Sequence, residues 1–289
     1  MRIATGHLHQ SLLRDIQSGL SALSRAQQTA ATGRRVSKIS DDPVAAAQIL
    51  RGDRELGAIV QYRRTITSVQ TRLDAEESTL NQITDLLTRA QELAVSQGTS
   101  SATTQSRAIT ALEVDRLIEQ AISLGNTRLG NEFLFAGTVT TAPPFQAGGI
   151  YTGDLVRREV EIGPGIRVPL THSGQQLLVD SGVFSSLTAL KTALETDSPD
   201  AIRTSLSDLE TTFNQVQGLL AEVGASSRRL EAAQESHLAL ESSILLQRSE
   251  LQDVPLEEAT LQMVSLQTTL QAALLSANRV LTTSLADVL

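Results

Sequence analysis

Four histidines, His7, His9, His172 and His237, are the residues best suited to metal binding or proton transfer. A helical zinc pair sits at i and i+4, where both rings share a face. His7 and His9 are two apart, on different helix faces, and read as solvated surface. His172 closes an alternating segment and has no ligand partner near it in sequence. His237 falls on the continuation of an apolar helical stripe, where it packs or faces solvent. Asp41-Asp42 has the look of an acid–base or metal pair. Ser40-Asp41-Asp42-Pro43 is better explained as a helix start. An Asp side chain accepts from the free N–H groups of the first turn, and Pro fits the first position because its missing N–H is not needed there. Glu76-Glu77, Glu231 with Glu235, and Glu257-Glu258 read as helix-surface acids. Gly163-Pro164-Gly165 lacks the third glycine and the following helix of a dinucleotide loop, and neither a P-loop nor a G-x-S-x-G elbow occurs. With no cysteine there is no disulfide, thiolate site or Cys nucleophile. No catalytic, cofactor or metal residue is assigned, and the chain is read as not an enzyme.

Composition points the same way. The chain has 289 residues but only 2% aromatics, with no Trp, two Tyr and five Phe. Leu, Ala, Val and Ile must then form the core, which suits long helices with narrow apolar seams. The net charge is -8, and the Arg34-Arg35 and Arg63-Arg64 pairs are isolated, so nucleic acid is not an expected partner. No apolar stretch is long enough to span a membrane. Met1 to Leu20 lacks a basic start followed by an apolar run, so export, if it occurs, is expected by a route other than a Sec-type signal.

The elements follow from periodicity. Leu13, Ile16, Leu20 and Leu23 alternate steps of three and four, and Gly33 is a C-terminal cap. Beyond Pro43 the longest seam runs through Ile59, Tyr62, Ile66, Val69, Leu73, Glu76, Leu80, Ile83, Leu87, Ala90 and Ala94, with Glu76 its one polar exception. A loop near Gln97 to Gln105 leads to a helix expected from Thr104 to Leu129, antiparallel to the first. From Gly137 to Gly182 the period shortens toward two, around Arg158 to Ile162 and Ile166 to Leu170, and reads as a β insert. Helix returns at Val183 to Leu194 and after Ser198-Pro199. The next seam is Ile202, Leu206, Leu209, Phe213, Val216, Leu220 and Val223, with a phase slip expected after Leu230 onto Leu238 and Leu245. Asp253-Val254-Pro255 opens a last helix with Ala259, Met263, Leu266, Leu270, Ala273, Ala277 and Val280 on one stripe, and Leu274, Leu281, Leu285 and Val288 beside it.

The fold class is therefore mainly α: a long antiparallel, coiled-coil-like bundle formed by the N- and C-terminal halves, with a small central β insert at the tip. The expected divisions are residues 1–42 with 253–289 as terminal assembly helices, 43–136 with 183–252 as the bundle, and 137–182 as the insert. From Ala259 to Leu289 the only charged residues are Arg279 and Asp287. A surface helix normally carries charge on its outer face, so this one expects neighbours on several sides. The assembly interface is assigned to Leu13, Ile16, Leu20, Leu23, Met263, Leu266, Leu270, Leu274, Leu281 and Leu285, and the helix-start motif to Ser40, Asp41, Asp42 and Pro43.

Three segments carry a family resemblance. Gly33-Arg34-Arg35-Val36 with Ser40 to Ala47 resembles the N-terminal signature of the hook-associated protein three family, flagellin-related proteins of the bacterial hook–filament junction. Asn126 to Gly137, with Pro143-Pro144-Phe145, resembles that family's passage into its β domain. Asp253 to Ala259 and Gln267 to Leu275 resemble the C-terminal helix shared with flagellin, although Pro255 stands where an acidic residue is expected. Filament flagellin is the rival; its loop continues with Ala-Ala-Gly where this chain has Pro43-Val44-Ala45. A cytoplasmic coiled-coil signalling or adhesin module is the reading from another class. The resemblance implies a secreted junction subunit, exported through the flagellar type III channel after a cytoplasmic chaperone. It implies self-assembly into a ring or helical tube, with hook-associated protein one on one face and flagellin on the other. From the residues themselves, no cofactor and no membrane partner are expected.

Overall fold

The computed structural model describes residues 2–99 and 102–286, with side chains described at residue 7 and, within those ranges, from residue 10 to 279. In order come α1 (Arg2–Thr32), α2 (Pro43–Gln97), α3 (Thr104–Gly125), β1 (Arg128–Leu129), β2 (Glu132–Phe133), β3 (Glu159–Gly163) and β4 (Ile166–Pro169). A π-helical stretch, Gln175–Asp180, precedes α4 (Val183–Glu195), α5 (Pro199–Gln252) and α6 (Leu256–Ala286). The protein is mainly α with a small antiparallel β element, as its periodicities imply. Helix α3 stops short of the expected Leu129. Asn126 ends it by exchanging two 2.9 Å hydrogen bonds with the Phe145 backbone, donating through Nδ2 and accepting through Oδ1.

The chain forms two compact units, Met1–Ala58 with Ala239–Leu289, and Ile59–Leu238. The divisions fall inside α2 and α5, whereas the sequence reading places boundaries at the helix starts.

The larger unit has one continuous apolar core. From α2 it takes Ile66, Val69, Leu73, Leu80, Ile83, Leu87, Ala90 and Ala94, the seam read from three-four spacing. From α5 it takes Ile202, Leu209, Val216, Val223 and Leu230, each seven residues apart, as a bundle seam requires. The expected phase slip after Leu230 does not occur. The buried row continues through His237, while Leu238 is exposed. A histidine in the seam hides its continuity from an apolar count. His237 stays buried because Nε2 donates to the Ile162 carbonyl at 2.7 Å, and because its ring stacks on Tyr62 at 5.5 Å.

The β strands belong to this same core and do not cap the hairpin end of the helices. Ile162 and Val168 from the β3–β4 hairpin are buried against it, with Phe145, Leu177 and Leu178. Their helical neighbours are at Tyr62, Glu76, Glu222 and His237, along the flank of α2 and α5. The hairpin end is closed instead by Arg107. Its guanidinium donates to the carbonyls of Gln97 and Thr99 at 3.2 and 3.0 Å and pairs with Asp197. The flank seat follows from burial: a segment this small cannot bury its own apolar face and must lean on the longest apolar surface nearby.

Candidate assembly surface

The smaller unit is built differently. Among the described residues its buried apolar ones are Ala26, Val36, Ala45, Ala46, Ile244, Ala259, Leu270 and Ala277, mostly the smallest side chains. Many of its leucines stand outside. Leu13 is 59% exposed, Leu20 52%, Leu261 72% and Leu275 66%, and Leu50, Leu246, Leu256, Val264 and Leu274 are also open.

Helices α1 and α6 pack on each other. On α6 the covered row is Ala259, Met263, Leu266, Leu270, Ala273 and Ala277, as its spacing implies. On α1 the covered row is Leu12, Ile16, Gly19, Leu23 and Ala26. Ile16 and Leu23 therefore face inward as expected, but Leu13 and Leu20 do not. Adjacent leucines at 12 and 13 leave the phase open, and Gly19 lies on the covered row. A Cβ added at Gly19 would sit 3.2 Å from Leu270 Cδ1, a tight contact that the leucine would have to ease by a few tenths of an ångström, so Gly19 suits the close packing of α6 there. Leu274 is exposed on the second stripe. The side chains of Leu281 and Leu285 lie outside the described residues.

In the helix-start motif one of the two acids, Asp42, caps α2. Asp42 Oδ1 accepts from the Val44 and Ala45 N–H groups at 3.1 and 3.0 Å, at the start of α2. Asp41 faces the other way, and its Oδ2 accepts from the Ser37 and Lys38 N–H groups at 3.1 and 2.8 Å. Ser40 and Pro43 are exposed beside them. These N–H donors hold both carboxyls below the usual carboxylate range: Lys38 and Ser37 for Asp41, and Ala45 first for Asp42. The loop is also tied to the turn between α5 and α6. Arg35 N donates to the Gln252 carbonyl at 2.6 Å, Val254 N to Gly33 at 2.9 Å, and Arg35 Nη2 to Leu251 at 2.9 Å. The two resembling segments, far apart in sequence, thus form one joint. Only the resemblance links them beforehand, because no local period does.

The sequence reading missed one polar cluster in the larger unit. Glu76 is not a surface acid; it is fully buried. Its Oε1 accepts from the His172 backbone N–H at 3.0 Å and from His172 Nδ1 at 2.6 Å. The expectation that His172 has no partner fails because that partner lies 96 residues away. The polar break in an otherwise apolar seam was the available signal. Among the described residues no group of His, Cys, Asp and Glu is arranged to hold a metal, and no helix is long and apolar enough to cross a membrane.

The end helices pair with several leucines exposed, and a capped loop joins segments from the two ends of the chain. Comparison with known proteins finds flagellar relatives. Residues 3–140 match the bacterial flagellin N-terminal helical region. The chain is 26% identical over 300 residues to flagellar hook-associated protein 3 of Escherichia coli (strain K12), covering 94% of this chain and 95% of that one. It is 29% identical over 191 residues to flagellar hook-associated protein 3 of Salmonella typhimurium, covering 65% and 58%. Its fold is shared with the flagellar junction protein FlgL from Legionella pneumophila, at a TM-score of 0.61 and 14% identity, over 71% of this chain and all of that one. Over nearly its whole length the chain is similar to flagellar hook-associated protein 3, and its N-terminal part is similar to the bacterial flagellin N-terminal region.

Proposed function

We infer that this chain is a structural subunit of the bacterial flagellum, joining hook to filament. The observation that carries the reading is the α1–α6 pair, which covers one row of each helix and leaves Leu13, Leu20, Leu261, Leu274 and Leu275 facing outward. Such a pair is half of an interface. Copies packed through Leu13, Leu20, Leu261, Leu274 and Leu275 would bury what one chain leaves open, and a head-to-tail contact that does not close gives a ring or helical tube. In this reading residues 1–42 and 253–289 line the tube, and residues 43–252 form the outer body with the β region on it. Hook-associated protein one takes one face and flagellin the other. The chain is exported through the flagellar type III channel after a cytoplasmic chaperone holds its terminal helices. The role is geometric and needs no catalysis.

Deleting the gene tests the reading. Cells should build hooks without filaments and release flagellin to the medium, and filaments of normal length on the deleted strain would overturn it. Leu261→Glu with Leu275→Glu separates assembly from folding. The altered chain should keep its helical content and be exported, yet fail to restore filaments.

A further inference from the structure

His172 is 3% exposed in its side chain and makes contacts on both ring nitrogens. Nδ1 lies 2.6 Å from Glu76 Oε1 on α2. That oxygen also accepts from the His172 backbone N–H, and Glu76 has no exposed surface. Nδ1 must therefore carry the hydrogen in every state, because a bare Nδ1 would set a lone pair against a buried carboxylate. This fixes the neutral ring as the Nδ1–H tautomer and leaves a lone pair on Nε2.

Nε2 faces two groups of opposite demand. Arg157 Nη2, before β3, lies 3.1 Å away and only donates. Glu222 Oε2, on α5, also lies 3.1 Å away and, when ionised, only accepts. A neutral ring can accept from Arg157 but has nothing to offer Glu222. A protonated ring donates to Glu222 and repels Arg157. The ring also borders a surface concavity lined by Gln176, Asp180, Ser181, Gln215 and Glu222. Glu76, Glu222, Arg157 and Asp180 are the charged groups around it.

We propose that His172 is a proton-operated clasp that always holds Glu76 and exchanges Arg157 for Glu222 when its ring is protonated. In the neutral state the segment after β4 is tied to α2 and to the segment before β3. In the protonated state the same residue bridges α2 to α5. The seat of the β region on the helices thus depends on pH. Burial is the largest single influence and lowers the ring's proton affinity, but the Glu76 hydrogen bond and charge together with the Glu222 hydrogen bond outweigh it, and the net is a value above the ordinary histidine range.

Histidine ring ¹⁵N spectra of the full chain, followed through a pH titration, test this. Above its midpoint His172 should show the Nδ1–H neutral tautomer, and below it both nitrogens should be protonated. Glu222→Gln should lower the midpoint and Arg157→Gln should raise it. Both residues are exposed, so neither change threatens the fold. A neutral Nε2–H tautomer would overturn the proposal. So would midpoints that stay fixed in both variants.

Discussion

Glu76 sits where a bundle seam should be apolar, and it is tolerated because His172 meets it. Removing one partner leaves the other buried and unpaired, so Glu76→Ala should cost about 3–5 kcal/mol. Glu76→Leu with His172→Leu should recover most of that, because a well-packed apolar pair often matches a buried ionic one. Urea denaturation of the two single variants and the double variant gives the coupling. A double variant as unstable as the sum of the singles would refute it. The pH dependence has two opposite signs. The folded value of His172 lies above its unfolded value. Its contribution is then complete below the unfolded value and is lost as pH rises through the folded one. Asp41 and Asp42 are held below their ordinary values by backbone donors. Their contribution is present above the unfolded value and is lost as pH falls through the folded one. Stability should therefore be greatest between the carboxylate and imidazole ranges. His172→Gln should remove the decline on the alkaline side while leaving the acid side unchanged, as denaturation midpoints across pH would show.

The same division between local and distant causes appears in the elements. Leu80 and Leu209 lie on different helices but in one core, so Leu→Ala at either site should cost roughly 2–5 kcal/mol. Chemical denaturation reads both, and a loss at Leu80 with none at Leu209 would deny the shared core. Gly125 has no room for a side chain. A Cβ there would sit 2.6 Å from Phe145 Cδ2 and 2.7 Å from Leu178 Cδ1. Gly125→Ala should cost about 1–3 kcal/mol through overpacking, against near neutrality for Gly218→Ala, where nothing lies within 4 Å. Because Phe145, Ile162 and Val168 belong to the helical core, replacing residues 139–182 by a short linker should lower the melting temperature. The legible parts of the fold were those with a period. The α2 seam, the helix starts at Pro43 and Pro199, and the β3–β4 hairpin around Gly163-Pro164-Gly165 all follow from neighbours in sequence. The parts that were not legible depend on distant partners. The flank seat of the β region rests on Glu76 with His172 and on Ile162 with His237. On α1, the inward row that takes Leu12 rather than Leu13 sets Gly19 against Leu270. Each of these is a contact across the chain, carried by one residue, and no repeat announces it.

At the scale of the whole molecule, the two units bury very different material. The Ile59–Leu238 unit closes over Leu80, Ile83, Leu87, Phe135, Leu177, Leu187 and Leu190, all fully buried. In the other unit α6 covers Ala259, Leu270 and Ala277 most deeply, while Leu261, Val264, Leu274 and Leu275 stay in water. Burying one methyl group returns about 0.8 kcal/mol, less than the roughly 1–2 kcal/mol needed to fix one residue's backbone. A single neighbouring helix therefore holds α6 only weakly. On the proposed function, contact on further sides supplies the missing burial and couples ordering of the helix to association. Hydrogen exchange distinguishes the units in one experiment. In a monodisperse monomer, amides across Leu266 to Ala277 should exchange fast while those across Leu73 to Leu87 exchange slowly, since local opening tracks the apolar contacts each segment makes. In assembled material the first set should become protected and the second should change little. Equal, strong protection of both segments in the monomer would mean that α1 and α6 form a finished hairpin, and that the outward leucines have some use other than completing the fold of α6.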